Sequence, residues 1–317
     1  MTRFDYFRPA GLVQACEFLS AHSGWAKVIA GGTDLLIAVR RGQWPPAGSR
    51  GAEEQGAVPI DNLSPERTRA WVVDVSCLQE LRGIRDHEGL IVSIGAACTH
   101  TQVAESTEIK RFAPMLAVAS ESVGSVQIRN RGTIGGNIMN ASPAADTLPA
   151  LVALDARAVL VSPSGTRELA VAELVTGPYR TCAREDEILA RVEFQKLPQG
   201  ARMAFTKLGR RSSMAIARLS CAVALVPGPD GTVREARISA GAAFPRPVRI
   251  GAAEEVLVGR VPDAEAAREA GEKAALEMVR VTGVRWSTDY KHPVLSTLVA
   301  RTIMKCLGRE EGSAWAR

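Results

Sequence analysis

Paired cysteines are missing from this sequence. Its six cysteines (Cys16, Cys77, Cys98, Cys182, Cys221 and Cys306) never come closer than 21 positions. Structural zinc and iron–sulfur sites draw ligands from tight C-x2-C pairs. With only four histidines scattered along the chain, neither kind of site is expected, and the thiols read as reduced cytoplasmic ones. Long apolar runs are absent too. The strongest, Ala222 to Val226, falls far short of the about 20 residues a bilayer requires, and the N-terminus lacks the apolar stretch of a secretory signal. Aromatics make up only 5%, which argues against a stacking platform for single-stranded nucleic acid. Charge of one sign is scarce as well: 39 basic and 34 acidic side chains leave +5 over 317 residues. No dense Lys/Arg stripe follows a phosphate backbone. No fixed-period repeat occurs, which excludes solenoids and propellers.

What is present is an ordinary globular mix, 46% hydrophobic and 23% charged, long enough for two or three cores. Helical spacing runs from Pro9 to Leu19, and Lys27 to Ala30 reads as a strand stopping at a double glycine. A helix or long turn follows over Leu35 to Arg40. The stretch from Gly42 to about Arg69 has no apolar period and reads as an exposed insertion. Strands are expected over Trp71–Val75, Leu90–Ile94 and Ala158–Val161, and helices over Pro114–Val123, with Met115, Leu116, Val118, Ala119 and Val123 inward, and over Ala144–Leu154. In the second half, Ile188, Ala190, Val192 and Phe194 alternate as in a half-buried strand. Met214–Val226 and Val233–Gly241 read as strands joined by a Pro/Gly turn. Asp263 caps a helix to about Arg280, and Pro293 is expected to open the last one. The boundary between an α/β first half and an α+β second half falls near 176–184.

Two glycine-rich segments carry candidate chemistry. In Val28-Ile29-Ala30-Gly31-Gly32-Thr33-Asp34-Leu35, a strand runs into a double glycine followed by small polar residues. Successive inward N–H groups there form an anion nest suited to a phosphate, although the pattern is neither a Rossmann fingerprint nor a P-loop. On local pattern alone, a strand-to-helix turn with Asp34 as its cap is the stronger reading. The second runs from Thr133 through Ile134, Gly135, Gly136 and Asn137 to Ser142, Asp146 and Thr147. It reads as a polar loop in apolar flanks. Its backbone donors suit a pocket, and the Asp146 carboxylate suits hydroxyls of a ribose or ribityl chain. The alternative is a long turn whose Asn and Ser side chains satisfy their own backbone.

Taken together, the two segments resemble the pyrophosphate loops of the FAD-binding medium subunits of molybdenum hydroxylases, the xanthine dehydrogenase and carbon monoxide dehydrogenase family. Further resemblance lies in Phe4-Asp5-Tyr6-Phe7-Arg8-Pro9, Gly95-Ala96-Ala97-Cys98-Thr99, Asp186-Glu187-Ile188-Leu189, Lys207-Leu208-Gly209-Arg210-Arg211 and Tyr290-Lys291. It covers nearly the whole chain. The resemblance implies an α+β fold: a two-lobed FAD-binding domain of the PCMH type, like that of vanillyl-alcohol oxidase, over 1–178. Its lobes would span about 1–60 and 61–178, with the insertion at about 42–69. A C-terminal α+β domain with a three-stranded sheet and helices would follow over 184–310.

It also implies roles. Backbone amides from Ala30 to Leu35, behind Val28 and Ile29, would cradle one part of the FAD diphosphate, and Thr133 to Asn137 the rest. Thr99 and Ser142 belong to the matching motifs, Asp146 would bind a hydroxyl-bearing part, Leu189 would pack on the ring system, and Lys207 would lie near the flavin or its sugar chain. For Arg129 and Arg131 a structural or subunit-contact role is at least as well supported as a cofactor contact. No catalytic residue and no metal ligand is expected on this chain. A molybdopterin-binding large subunit and a small subunit with two [2Fe-2S] clusters would be the partners, and an external acceptor would take the electrons. No cysteine lies between Cys98 and Cys182, so the extra iron–sulfur insertion of some relatives is not expected. A competing reading is a self-contained FAD-dependent oxidoreductase, although no His or Tyr constellation argues for its own substrate site.

Overall fold

The computed structural model describes residues 4–44, 70–87, 89–211 and 214–309. Most of the insertion expected over 42–69 lies outside these residues. Trp44, at its start, is buried against Phe4, Ala70 and Val72, its ring 5.9 Å from that of Phe4. Its side chain is thus engaged within its own chain.

The first part of the chain forms β1 (Asp5–Phe7), α1 (Leu12–Ala21), β2 (Ala26–Ile29), α2 (Leu35–Arg40) and β3 (Trp71–Asp74). The three strands make a parallel sheet in the order β1-β3-β2. Helix α1 places Ala15, Cys16 and Leu19 on one face, where they pack with Val73, Val75 and Leu78. In a parallel sheet the strands' C-terminal ends are where ligands gather, and β2 ends at the first glycine pair.

The second part holds β4 (Ile84–His87), β5 (Ile91–Gly95), α3 (His100–Glu105), α4 (Thr107–Phe112), α5 (Pro114–Glu121), α6 (Val126–Arg129), α7 (Ile134–Asn140) and α8 (Thr147–Ala153). After these come β6 (Arg157–Ser162), β7 (Gly165–Ala170), α9 (Val171–Leu174), the short pair β8 (Val175–Gly177) and β9 (Arg180–Thr181), and β10 (Ile188–Gln195). Strands β4-β5-β10-β6-β7 form one antiparallel sheet. The largest core lies between this sheet and helices α3, α4, α5, α7 and α8.

The last part comprises β11 (Arg202–Leu208), β12 (Leu219–Pro227), β13 (Val233–Gly241), α10 (Gly251–Leu257), α11 (Ala264–Thr282) and α12 (Thr288–Cys306). Its three strands pair antiparallel in chain order. Helices α10 to α12 cover them with a separate apolar core. Asp263 caps α11 through the Ala266 N–H at 2.7 Å. The stripe Leu295, Leu298, Val299, Ile303 and Cys306 is buried as its spacing predicts. The architecture is α+β. Among the described residues, no helix is long and apolar enough to cross a membrane.

Four expectations need correction. The second glycine segment is not a loop: Ile134–Asn140 is helical, started by Thr133. The alternating strand Ile188–Gln195 hydrogen-bonds between β5 and β6, so it sits inside the second sheet although the C-terminal unit was expected from 184. Its partners are remote in sequence, which no local pattern reveals. Pro293 lies inside α12, which begins at Thr288; the preceding turn extends the helix backward. Val118, expected to face inward, is exposed, because α5 turns its Met115, Leu116 and Ala119 faces to the core.

Candidate functional site

The first glycine segment connects β2 to α2. Gly32 has φ +74°, a conformation that glycine adopts without steric penalty. Gly31 is needed for a different reason. A Cβ there would stand 1.9 Å from the Arg131 carbonyl oxygen, so only glycine lets this turn lie directly on the chain leading into α7. The early N–H groups of α2 are satisfied locally: Leu36 donates to Gly32 O, and Ile37 and Ala38 to Asp34 O. The N–H groups of Gly31, Gly32, Thr33 and Asp34 find no acceptor among the described residues. They form a run of available backbone donors. Asp34 also ties the two segments together, its Oδ1 accepting from Asn140 Nδ2 at 3.1 Å. Burial pushes the Asp34 carboxyl above the usual range, and a hydrogen bond from Thr33 opposes this.

The second segment is built differently. Thr133 Oγ1 accepts from Gly136 N–H at 3.0 Å, a side-chain N-cap. Ile134 N–H donates to Cys98 O, Gly135 N–H to Ala96 O, and Asn137 N–H to Thr133 O. The donors from Ile134 to Asn137 are therefore engaged within the fold. A Cβ on Gly135 would lie 2.6 Å from that of Ala96. This glycine seats α7 on the turn after β5. Thr99 bridges Thr133 and caps α3 in a reciprocal box with Gln102, so its side chain serves the scaffold. Helix α7 ends at Ala141, held at φ +49°.

Beyond α7, Thr147 Oγ1 donates to Asn137 Oδ1 at 2.6 Å, which joins the start of α8 to the second segment. Ser142 Oγ accepts from Ala144 N–H in a local turn. Asp146 is only 6% exposed. Lys207, from β11, donates to its Oδ2 at 2.6 Å and to Ser122 O at 2.9 Å. The other carboxylate oxygen, Oδ1, is buried with no hydrogen-bond partner. Burial pushes the Asp146 carboxyl up to about 6, against the opposing hydrogen bond and charge of Lys207. An unpartnered buried acceptor costs about 1–3 kcal/mol, so the position fits a hydroxyl donor from a ligand.

Most of the expected site residues come together. Val28 and Ile29 lead the first segment in from β2, half-buried on opposite sides of the strand. Gly31 lies on the chain leading into the second segment, Asp34 bonds to Asn140 within it, and α7 carries the connection on to Asp146 and Lys207. Leu189 is buried in the same core as Ile134 and Ile138. Sequence reasoning missed the carbonyls of Arg131 and Ser122, which act through backbone atoms and leave no residue-type signal.

Comparison with known proteins bears on this geometry. Residues 61–197 match the family model described as the FAD binding domain in molybdopterin dehydrogenase. Residues 203–306 match that of the CO dehydrogenase flavoprotein C-terminal domain. The chain is 33% identical over 263 residues to the nicotinate dehydrogenase FAD-subunit of Eubacterium barkeri, spanning 82% of this chain and 81% of that one. It is 29% identical over 315 residues to the carbon monoxide dehydrogenase medium chain of Hydrogenophaga pseudoflava, covering 99% and 98%. A solved structure of carbon monoxide dehydrogenase from that organism superposes with a TM-score of 0.81 at 28% identity, covering 98% of this chain and 99% of the other.

Proposed function

Because the chain belongs to the family of FAD-binding medium subunits of molybdenum hydroxylases, we propose that it carries electrons within a heteromeric complex. It would take them from [2Fe-2S] clusters on a small partner subunit and deliver them, through FAD, to an external acceptor. A molybdopterin-binding large subunit would hold the substrate. One observation carries this reading: the run of unpartnered donors from Gly31 to Asp34, pressed against the chain that leads into the second segment by a contact that no Cβ permits.

The residues present fit the cofactor. The N–H groups of Gly31 to Asp34, within the segment from Ala30 to Leu35, would hold the diphosphate through already oriented dipoles. From Thr133 to Asn137 the contribution would come from the Thr133 N–H and the side chain of Asn137, since the other amides are engaged. Asp146 Oδ1 would accept from a hydroxyl of the sugar chain, with Lys207 fixing the carboxylate and compensating its charge. Leu189 would support the apolar side of the pocket, and Ser142 and Thr99 would hold its walls in place. When bound, FAD supplies the redox chemistry, and the protein positions it and tunes its potential.

The experiment is reconstitution. Purified full-length protein is incubated with FAD, desalted and examined for flavin absorbance, and the protein is purified from its natural host to identify co-purifying chains. Stoichiometric flavin and two further subunits are expected. A chain that takes up no flavin would overturn the reading.

A further inference from the structure

The Tyr290-Lys291 pair belongs to the sequence resemblance but has no part in the site described so far. It lies in the first turn of α12, far along the chain from both glycine segments. Lys291 is half-buried, and its Nζ donates to the Ala242 carbonyl at 2.6 Å. Among the described residues this is the ammonium's only hydrogen bond. Ala242 follows β13 and is held at φ +58°, a conformation that costs energy in any residue with a Cβ. The Ala242 N–H in turn donates to Pro143 O at 2.8 Å. Pro143 sits inside a turn closed by the Ala145 N–H on Ser142 O at 3.0 Å, and the next residue is Asp146. A series of bonds therefore runs from α12, through one strained residue, to the turn that delivers Asp146.

Stability alone does not account for this lysine. Burial, with the Arg285 guanidinium adding to it, pulls the Lys291 ammonium below its usual value, and no carboxylate among the described residues offsets that cost. What the charge secures is a carbonyl on a strained residue, and such a residue persists only where its surroundings hold it. Ala242 is held at both ends, its oxygen by Lys291 and its N–H by Pro143 O. We propose that Lys291 is a positioning residue of the cofactor site: by holding Ala242 O it keeps the turn after β13 on Pro143, and so sets where Asp146 presents its free Oδ1 to the sugar chain of FAD. This rests on the FAD reading above. Tyr290 supports the other half of the same ion pair. The Arg218 guanidinium lies 5.3 Å over its ring, and the Arg218 N–H donates at 2.8 Å to the carbonyl of Leu208, the residue after Lys207. The start of α12 thus braces the neighbours of both Asp146 and Lys207.

The test uses the full chain freed of flavin and titrated with FAD, followed by flavin fluorescence, at a temperature where circular dichroism shows each variant folded. Lys291→Met, which keeps an apolar stem without the donor, should bind FAD about tenfold more weakly than the wild type, a size set by the strain of one residue at positive φ. Lys291→Arg, which keeps a cationic donor, should recover most of that loss. Adding Ala242→Gly to Lys291→Met should recover much of it too, because glycine holds φ +58° unaided. A merely structural lysine would lower the unfolding temperature and leave the affinity of the folded protein unchanged. Equal affinity for wild type and Lys291→Met therefore overturns the proposal while leaving the FAD reading intact. A loss that neither repair reduces overturns it as well. Failure of the wild type to bind FAD sinks that reading and the proposal with it. Should Lys291→Met not fold, amide exchange of the wild type decides, since coupling between two sites is reciprocal. FAD should slow exchange at the Ala242 N–H, and an unchanged rate there contradicts the proposal.

Discussion

The two glycine pairs look alike in sequence and do different work. At Gly31-Gly32 the backbone turns sharply and its donors from Gly31 to Asp34 stay unpartnered. At Gly135-Gly136 the backbone is helical, its donors are engaged, and the glycine packs on Ala96. One pair offers hydrogen bonds outward; the other lets two pieces of scaffold approach. A glycine-rich motif is therefore a statement about room for the backbone, and whether that room serves a ligand or a neighbouring chain depends on where the N–H groups point.

The sharpest way to break this comparison is to fill each gap. Gly31→Ala drives a methyl into the Arg131 carbonyl and separates the segments. It should cost about 3 kcal/mol or more and abolish FAD retention in whatever protein remains folded. Gly135→Ala should destabilise to a similar degree by thermal unfolding, yet its folded fraction should still bind FAD. Equal binding losses in both would erase the distinction.

Next in size is the ion pair beyond α7. Lys207→Met leaves the buried Asp146 carboxylate without its cation, at about 3 kcal/mol in urea unfolding. Adding Asp146→Asn to it should restore part of that loss. Asp146 also leaves a pH signature. Its folded value of about 6 lies above the ordinary 3.8, so its ionisation opposes folding and stability from this group falls as pH rises from about 4 to 6. His100 acts in the opposite sense: its value of about 4 lies below 6.5, so its contribution rises with pH over 4 to 6.5. Asp146→Asn should therefore steepen the gain in stability between pH 4 and 6 by on the order of 2 kcal/mol, read from urea midpoints. The smallest effect concerns the N-cap. Thr133→Ala should cost about 1 kcal/mol and Thr133→Ser much less.

Much of the fold was legible where local pattern decides. Val233–Gly241 and Leu35–Arg40 match the observed strand and helix, and Asp263 caps α11. What local pattern missed is nonlocal. Strand β10 owes its place to β5 and β6, and the helicity of Ile134–Asn140 goes against two glycines because Ala96 requires the first and the Thr133 cap crowds the second. In the site, the paired motifs and Asp146 were visible as residue types. The carbonyls of Arg131 and Ser122 were not, since any residue supplies one.

The central claim is that the outward donors lie in the first segment. Amide hydrogen exchange of the full chain, with and without FAD, tests it directly. The account predicts that FAD strongly slows exchange at Gly31 to Asp34, with little change at Gly135 to Asn137, whose amides are already bonded. Protection concentrated in the second segment, with the first unchanged, would contradict it.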